Sequence, residues 1–455
     1  MTDATLRALA AGSTVLGYLG LCFAVYWRQR LRLQATARAA AALAGDGTEP
    51  ASLVLFASQT GQAEAIAWQT AGWLREAGTP VRVMSLNHVD ANALRNARSA
   101  LFVASTYGEG DAPDGASVFA EQMMGSAADF SSLRYAVLAL GDRRYANFCG
   151  FGRALDEWLH SAGATRAFER IEVDNGDPAT LAAWQARCGG SDVVAQAEPP
   201  NGTNAMPWRL ATRKLLNAGS AGAPVYHLAF APPPGHEAHW ESGDIAQVTV
   251  ASDPGRPRDY SISSIHADGE LQLLVRQEQH PDGTLGAASG LLTSTLAVGD
   301  TVALRLRPHR NFHLADNAQR PLILIGNGTG LAGLRSHLRA RAAAGQHDNW
   351  LVFGERNAPH DFLYRAEIEA WLADGVLRRL DMVFSRDQAE RLYVQHRLLQ
   401  ASGEVLSWIG RGAAVYVCGS LQGMASGVDA ALRQIAGDAL MRDLTAGGRY
   451  RRDVY

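Results

Sequence analysis

Between Ser52 and about Trp184 the chain alternates short, continuous apolar runs with longer amphipathic stretches. The runs are SLVLFAS, VRVMSL, SALFVAS and YAVLALG, and between them lie segments such as AEAIAWQTAGWLREAG and FGRALDEWLHSAG. Strands apolar on both faces, each followed by a helix, predict a parallel sheet covered on two sides. From Trp208 to about Arg310 the texture changes. VYHLAFAPPPG, DIAQVTVAS, RDYSISS, ELQLLVRQ and DTVALRLRP are strands separated by turn residues, which predicts a small antiparallel barrel. From Pro321 the first pattern returns in PLILIGNGTG, NWLVFGERN, RRLDMVFS and AAVYVCGS, a second parallel α/β unit. The expected fold class is thus α/β plus β-barrel. Its domains are 50–187, a linker at 188–207, a barrel at 208–315 and an α/β domain at 316–455.

Ahead of this lies Ala8–Trp27, a stretch without charge and of about the length that crosses a bilayer. Tyr26 and Trp27 close it, and Arg28, Arg30, Arg32 and Arg38 follow, against Arg7 alone before it. That asymmetry predicts an N-terminal transmembrane helix within residues 1–40, with the rest of the chain in the cytoplasm. A cleaved signal peptide would carry its positive charge first. The Ala and Gly content also suits one helix of a larger membrane assembly.

Composition narrows the chemistry. The net charge of −3 gives no reason to expect nucleic acid. Lys214 is the only lysine, so there is no G-K-[ST] phosphate loop. Cys22, Cys149, Cys188 and Cys418 are scattered with no C-x-x-C pair, which argues against a disulfide framework, a zinc site or a cysteine-bound iron–sulfur cluster. No metal is expected.

Three loops of the first unit leave the C-terminal ends of predicted strands, where open α/β sheets bind ligands. Ser58, Gln59, Thr60, Gly61, Gln62 and Ala63 follow the first strand and precede a helix, a setting that suits a phosphate monoester; the same residues could simply cap the helix. Ser105, Thr106, Tyr107 and Gly108 open a second loop, and Leu140, Gly141, Asp142, Tyr145, Asn147, Phe148 and Cys149 form a third. Each puts one tyrosine where it could flank a flat ring. Together the loops resemble the flavodoxin-like FMN domain of diflavin reductases. The resemblance implies that 58–63 hold the FMN phosphate, that Tyr107 and Tyr145 flank the isoalloxazine, and that Asp174 lies near the flavin's edge.

The second half carries its own set. Arg258, Tyr260 and Ser261 lie in a barrel strand, where an arginine can neutralise pyrophosphate and a tyrosine can stack on a flavin. Gly290, Leu291, Leu292 and Thr293 stand at an expected helix start, a further pyrophosphate site. Gly328, Thr329 and Gly330 form a glycine-rich turn between strand and helix. Ser385, Arg386 and Arg391, with Tyr393 and Gln395, offer a hydroxyl and two cations to a 2′-phosphate. With DFLY at 361–364, YVCGS at 416–420 and the terminal RYRRDVY, this half resembles the ferredoxin–NADP reductase part of the sulfite reductase flavoprotein and NADPH–cytochrome reductase group. The resemblance implies FAD and NADPH as cofactors beside FMN. It also implies that Ser261, Cys418 and Asp453 surround the hydride path and that Tyr455 stacks on the FAD ring.

Three departures stand out. Gly333 replaces a proline, expected to loosen its turn and weaken NADPH binding; Ser420 replaces an aspartate; and the stretch before RPRDYS is too short for the helical connecting domain of the larger enzymes. The expectation is a reductase passing electrons from NADPH through FAD and FMN to a haem or iron–sulfur protein. A membrane-associated ferric or ferric-siderophore reductase and a flavin-binding redox sensor without turnover are the alternatives. Without the connecting domain, the two halves must meet directly or rely on the linker.

Overall fold

The computed structural model describes residues 52–188 and 205–455, apart from positions 60, 144, 237 and 252. Thr60, the expected anchor and most of the expected linker lie outside the described residues. The expected membrane location requires correction. No described helix is long and apolar enough to cross a bilayer, and a location resting on the Ala8–Trp27 stretch alone is dropped.

Three sheets organise the rest. The first holds β1 (Ser52–Ala57), β2 (Val81–Ser85), β3 (Ser99–Ser105), β4 (Arg134–Gly141), β5 (Thr165–Arg166) and β6 (Ile171–Asp174). Its pairs are all parallel, in the order β2-β1-β3-β4-β5 with β6 also on β4. Leu53, Val54, Leu55, Phe102, Val103, Val137 and Leu138 are buried, as strands covered on both faces require. Helices α1 (Gln62–Glu76) and α2 (Gly150–Ser161) are among the cover. The order steps outward in both directions from β1 and β3, which opens a crevice at their C-terminal ends.

The second sheet is antiparallel. Its strands are β7 (Met206–Leu215), β8 (Val225–Ala231), β9 (Ile245–Val250), β10 (Asp253–Ser261), β11 (Leu271–Arg276) and β12 (Thr301–Arg307), in the order β10-β9-β12-β7-β8-β11. Strands β9 and β10 are joined by only residues 251 and 252, so no helical insertion lies between them. β7 begins at Met206, inside the stretch read as linker.

The third sheet is parallel, with β13 (Leu322–Asn327), β14 (Asn349–Glu355), β15 (Arg379–Phe384), β16 (Ala414–Gly419) and β17 (Tyr450–Val454) in the order β15-β14-β13-β16-β17. Helices α3 (Leu331–Ala343) and α4 (Ser426–Ala446) pack on it. The terminal run RYRRDVY is a motif at the sequence level, and in the fold it is an edge strand. Its register sets Asp453 opposite Cys418, so the site depends on this last strand.

Candidate active site

The centre of the site is a buried polar cluster where the second and third sheets meet. Ser261 ends β10, and its Oγ donates to Asp453 Oδ2 at 2.6 Å. Cys418 Sγ lies 3.7 Å from the same oxygen. All three side chains are buried. Burial, and next the Asp453 carboxylate, push the Cys418 thiol well above its ordinary pKa, so it stays protonated. A protonated, buried thiol is a packing and hydrogen-bonding group rather than a nucleophile. Tyr455 is about half exposed, and its hydroxyl reaches Thr329 Oγ1 at 3.2 Å, which sets the last ring beside the 328–330 turn.

That turn is built around a close approach. A Cβ at Gly330 would collide with the Cys418 carbonyl and Gly419, so only glycine lets α3 start this near β16. Gly333 does not sit in a loosened turn. It lies within α3, where a Cβ would stand 3.0 Å from Phe312 and 3.4 Å from the Cys418 sulfur. Ser420 is held through its backbone, its N–H donating to Asn327 Oδ1 at 2.9 Å. The helix at Ala287–Gly290 opens three residues ahead of the expected Gly290 start. The Gly290 N–H is already bonded to the Gly286 carbonyl at 2.6 Å, so the free amides of the first turn are those of 287–289. Leu292 and Thr293 are buried, Leu291 is partly so, and Thr293 Oγ1 accepts from Gln277 Nε2 at 2.9 Å.

Arg258 reaches Asp253 at 3.3 Å, and Tyr260 packs partly buried against the barrel core. Farther along the third sheet, Ser385 is buried and its N–H bonds the Glu355 carbonyl at 2.9 Å. Arg386 and Arg391 are exposed, and neither has an ion-pair partner among the described residues. Arg386 follows Ser385 directly in the chain, and exposed, uncommitted guanidinium groups can accept an oxyanion. Tyr393 is exposed. Gln395 is half-buried, and its Oε1 lacks a hydrogen-bond partner among the described residues.

In the first unit, Gly61 adopts φ 87°, a left-handed conformation open to glycine, and its N–H donates to Ser58 Oγ at 2.9 Å. This curls the loop into the start of α1, where Gln62 and Ala63 follow. The second and third loops close on each other: Asn147 Nδ2 donates to the Glu109 carbonyl at 2.5 Å, and the Ala146 N–H to Glu109 Oε2 at 3.3 Å. Gly108 and Gly110 both have positive φ. Thr106 Oγ1 and the Tyr107 hydroxyl are buried without a hydrogen-bond partner among the described residues. Buried orphans of this kind beside a phosphate-type loop fit a polar ligand such as FMN. Leu140 and Gly141 end β4, Phe148 lies under the Arg143 guanidinium at 4.6 Å, and Asp174 accepts the Arg143 N–H at 3.1 Å. Asp142 and Tyr145 are half-buried on the same loop. Cys149 is buried with φ 55°, its thiol pushed up to about 12 by burial.

The first unit sits directly on the other two. Asn311 Nδ2 donates to the carbonyls of Ser58 (2.7 Å) and Gln59 (3.0 Å), and His309 Nε2 bonds the Gln59 carbonyl at 2.9 Å. The Gln59 side chain donates to the Arg452 carbonyl at 2.9 Å and clasps Asp114 through two bonds. Arg452 forms an ion pair with Asp114 and lies 5.2 Å from the Tyr107 ring centroid. Glu64–Arg310 (3.3 Å) and Glu121–Arg433 (3.5 Å) add two more cross-unit pairs. In all three the acid belongs to the first unit. Sequence reasoning passed over Asp114, His309, Asn311 and Arg452. Only Arg452 had a signal, its place beside Asp453 in the terminal run; the others have no motif, and their role comes from which surfaces meet.

Comparisons with known proteins match both parallel α/β units. The flavodoxin family matches residues 54–184, and the oxidoreductase NAD-binding domain family matches residues 324–430. The sulfite reductase (NADPH) flavoprotein alpha-component of Bacillus subtilis (strain 168) is 28% identical, over 93% of this chain and 93% of the relative. Proteins of the same name from Vibrio cholerae El Tor (28%; 88% and 87%) and Neisseria meningitidis serogroup B (28%; 90% and 90%) are similar as well. The Bacillus alignment runs over 560 positions, but 93% of 455 residues is about 423, so about 137 positions of the relative have no counterpart here. That deficit accords with the two-residue join between β9 and β10.

Proposed function

We propose that the chain is a diflavin reductase and carries electrons from NADPH through FAD and FMN to a haem or iron–sulfur protein. The observation that carries this reading is the proximity of two sites. The Ser261–Asp453–Cys418 cluster of the reductase half and the Ser58–Ala63 loop of the first half share one interface, with Gln59 bonded to the backbone of the residue next to Asp453.

When bound, the flavins supply the conversion of a two-electron hydride into single electrons; the chain's own residues bind, orient and insulate. Residues 58–63 hold the FMN phosphate, with Tyr107 and Tyr145 beside its ring. Arg258, Tyr260 and the amides opening the 287–295 helix hold FAD. The 328–330 turn takes the NADPH pyrophosphate, and Ser385, Arg386 and Arg391 take its 2′-phosphate. Asp453 orients the Ser261 hydroxyl and offsets positive charge in the hydride site. Cys418, neutral and buried, excludes water from it. Tyr455 covers the nicotinamide position and has to swing aside, which its half-exposed setting permits.

The domain divisions follow the three sheets: 52–188 for FMN, about 205–315 for FAD and 316–455 for NADPH. The acceptor must reach the first unit at or near a face now paired with Arg310, Arg433 and Arg452, so it should present cations of its own. The relatives are named as the alpha-component of sulfite reductase, which favours a separate redox protein as that acceptor. The test uses purified chain, NADPH and two artificial acceptors. Ferricyanide reduction should need FAD alone, and cytochrome c reduction should need both flavins. Cytochrome c reduction that survives removal of FMN would overturn the relay.

A further inference from the structure

His309 is fully buried at the junction of all three units. Its backbone N–H donates to Asp244 Oδ1 at 3.0 Å, and Asp244 also accepts the Ile262 N–H on its carbonyl at 3.0 Å, next to Ser261. The ring is therefore fixed relative to the hydride cluster. On one side Nε2 bonds the Gln59 carbonyl of the first unit at 2.9 Å; a carbonyl only accepts, so Nε2 carries the proton. On the other side Nδ1 has no hydrogen-bond partner among the described residues and stands 3.8 Å from Asp453 Oδ1.

We propose that His309 is a positioning residue that couples docking of the first unit to the hydride site, neutral while the unit is docked and free to take up a proton on the acid side once it leaves. The assignment of Asp453 to the hydride site rests on the function proposed above; the docking half does not. While docked, the Gln59 loop and Phe312 (ring centroids 6.0 Å apart) keep water from the ring. Undocking removes the Gln59 carbonyl and admits water. The proton then taken up on Nδ1 faces Asp453, which loses part of its field on Ser261. The charged groups around the ring are few. Asp453 on β17 favours the proton. Arg307 and His313 on its own segment oppose it, His313 being paired with Asp244, and His337 on α3 is itself neutral in this pH range. Beyond Gln59 the Asp114–Arg452 pair is neutral overall. Burial is the largest influence and lowers the docked histidine's pKa, so docking expels a proton and weakens as pH falls.

The test is amide hydrogen exchange, corrected for intrinsic rates, at residues 58–62 and 309–312 of the full chain, with and without flavins. The docking constant of the native chain should fall about tenfold between pH 7.5 and 5.5, as expected for a histidine of ordinary pKa near 6.5 that must be neutral to dock. His309→Gln keeps a donor for the Gln59 carbonyl but cannot titrate. It should dock equally at both pH values and should lose the acid-side fall in the rate of NADPH oxidation with ferricyanide. His309→Phe should exchange quickly at both. A tenfold pH effect that persists in His309→Gln, or its absence from the native chain, would overturn the proposal. A flavin-free chain that passes the exchange test but takes up no flavin would instead count against the two-flavin function.

Discussion

Replacing Asp114 by asparagine should uncouple the two halves without unfolding either. Asp114 accepts from Arg452 Nε at 2.9 Å and from a second guanidinium nitrogen, while its other oxygen accepts from Gln59 at 3.1 Å. Asparagine keeps the shape and the backbone bond to Gln59, but leaves the Arg452 cation mostly covered and unpaired in the docked state. Both side chains are 16% exposed, so the 3–5 kcal/mol typical of breaking a fully buried pair is an upper bound. A charge-assisted bond contributes about 1.5–3 kcal/mol net, and about 1.4 kcal/mol is a factor of ten. Docking should weaken roughly 10- to 100-fold. Stopped-flow reduction by NADPH at about pH 8, where an undocked His309 stays neutral, would resolve the two steps: the FAD phase should keep its rate, and the FMN phase should slow by that factor at saturating NADPH. Thermal melting of the variant should match the parent. The double change with Arg452→Met should cost less than the sum of the single changes. Equal slowing of both phases, or no slowing of the second, would refute the claim that this pair holds the FMN unit in its transfer position.

Three further outcomes can be checked directly. Ser261→Ala removes the 2.6 Å bond to Asp453 and should lower kcat for ferricyanide reduction roughly 10- to 100-fold, the worth of one charge-assisted bond, with flavin content unchanged. Arg386→Ala or Arg391→Ala should raise KM for NADPH about tenfold and leave KM for NADH alone, since only NADPH carries the 2′-phosphate; equal changes for both would refute the assignment. His337 is buried against Phe312 and Tyr416 and its pKa is lowered by burial to about 3. The folded state therefore binds fewer protons than the unfolded one, so stability is complete above about pH 6.5 and declines as pH falls toward 3. At pH 5 the loss should be about 2 kcal/mol, measurable by urea unfolding and reduced in His337→Phe.

Much of this fold was legible in the chain. Continuous apolar runs such as SLVLFA and NWLVFGE marked the parallel strands, because only a strand covered on both faces needs apolar residues at every position. Turn residues between alternating runs marked the barrel. Glycine-rich and hydroxyl-rich loops at strand ends marked where ligands bind, since the required backbone freedom and donor sets are local properties. Those same local rules predicted Gly290 as a helix start, although Gly286 ends the preceding segment and the helix opens at Ala287; a boundary set by packing against Gln277 and Glu278 leaves no local mark. The terminal strand shows the limit more sharply. RYRRDVY was legible as a motif, but its place as an edge strand follows only once β16 offers an edge that sets Asp453 opposite Cys418.

What tertiary structure alone decided is how the halves meet. Asp114 sits in an unremarked loop and Arg452 in the tail, 338 positions apart. His309 and Asn311 lie in a short segment without a motif. The chemistry of each loop is encoded by neighbours along the chain, whose identity the sequence displays. The docking contact is a match between two surfaces assembled from distant segments, and complementarity of that kind exists only after both have folded.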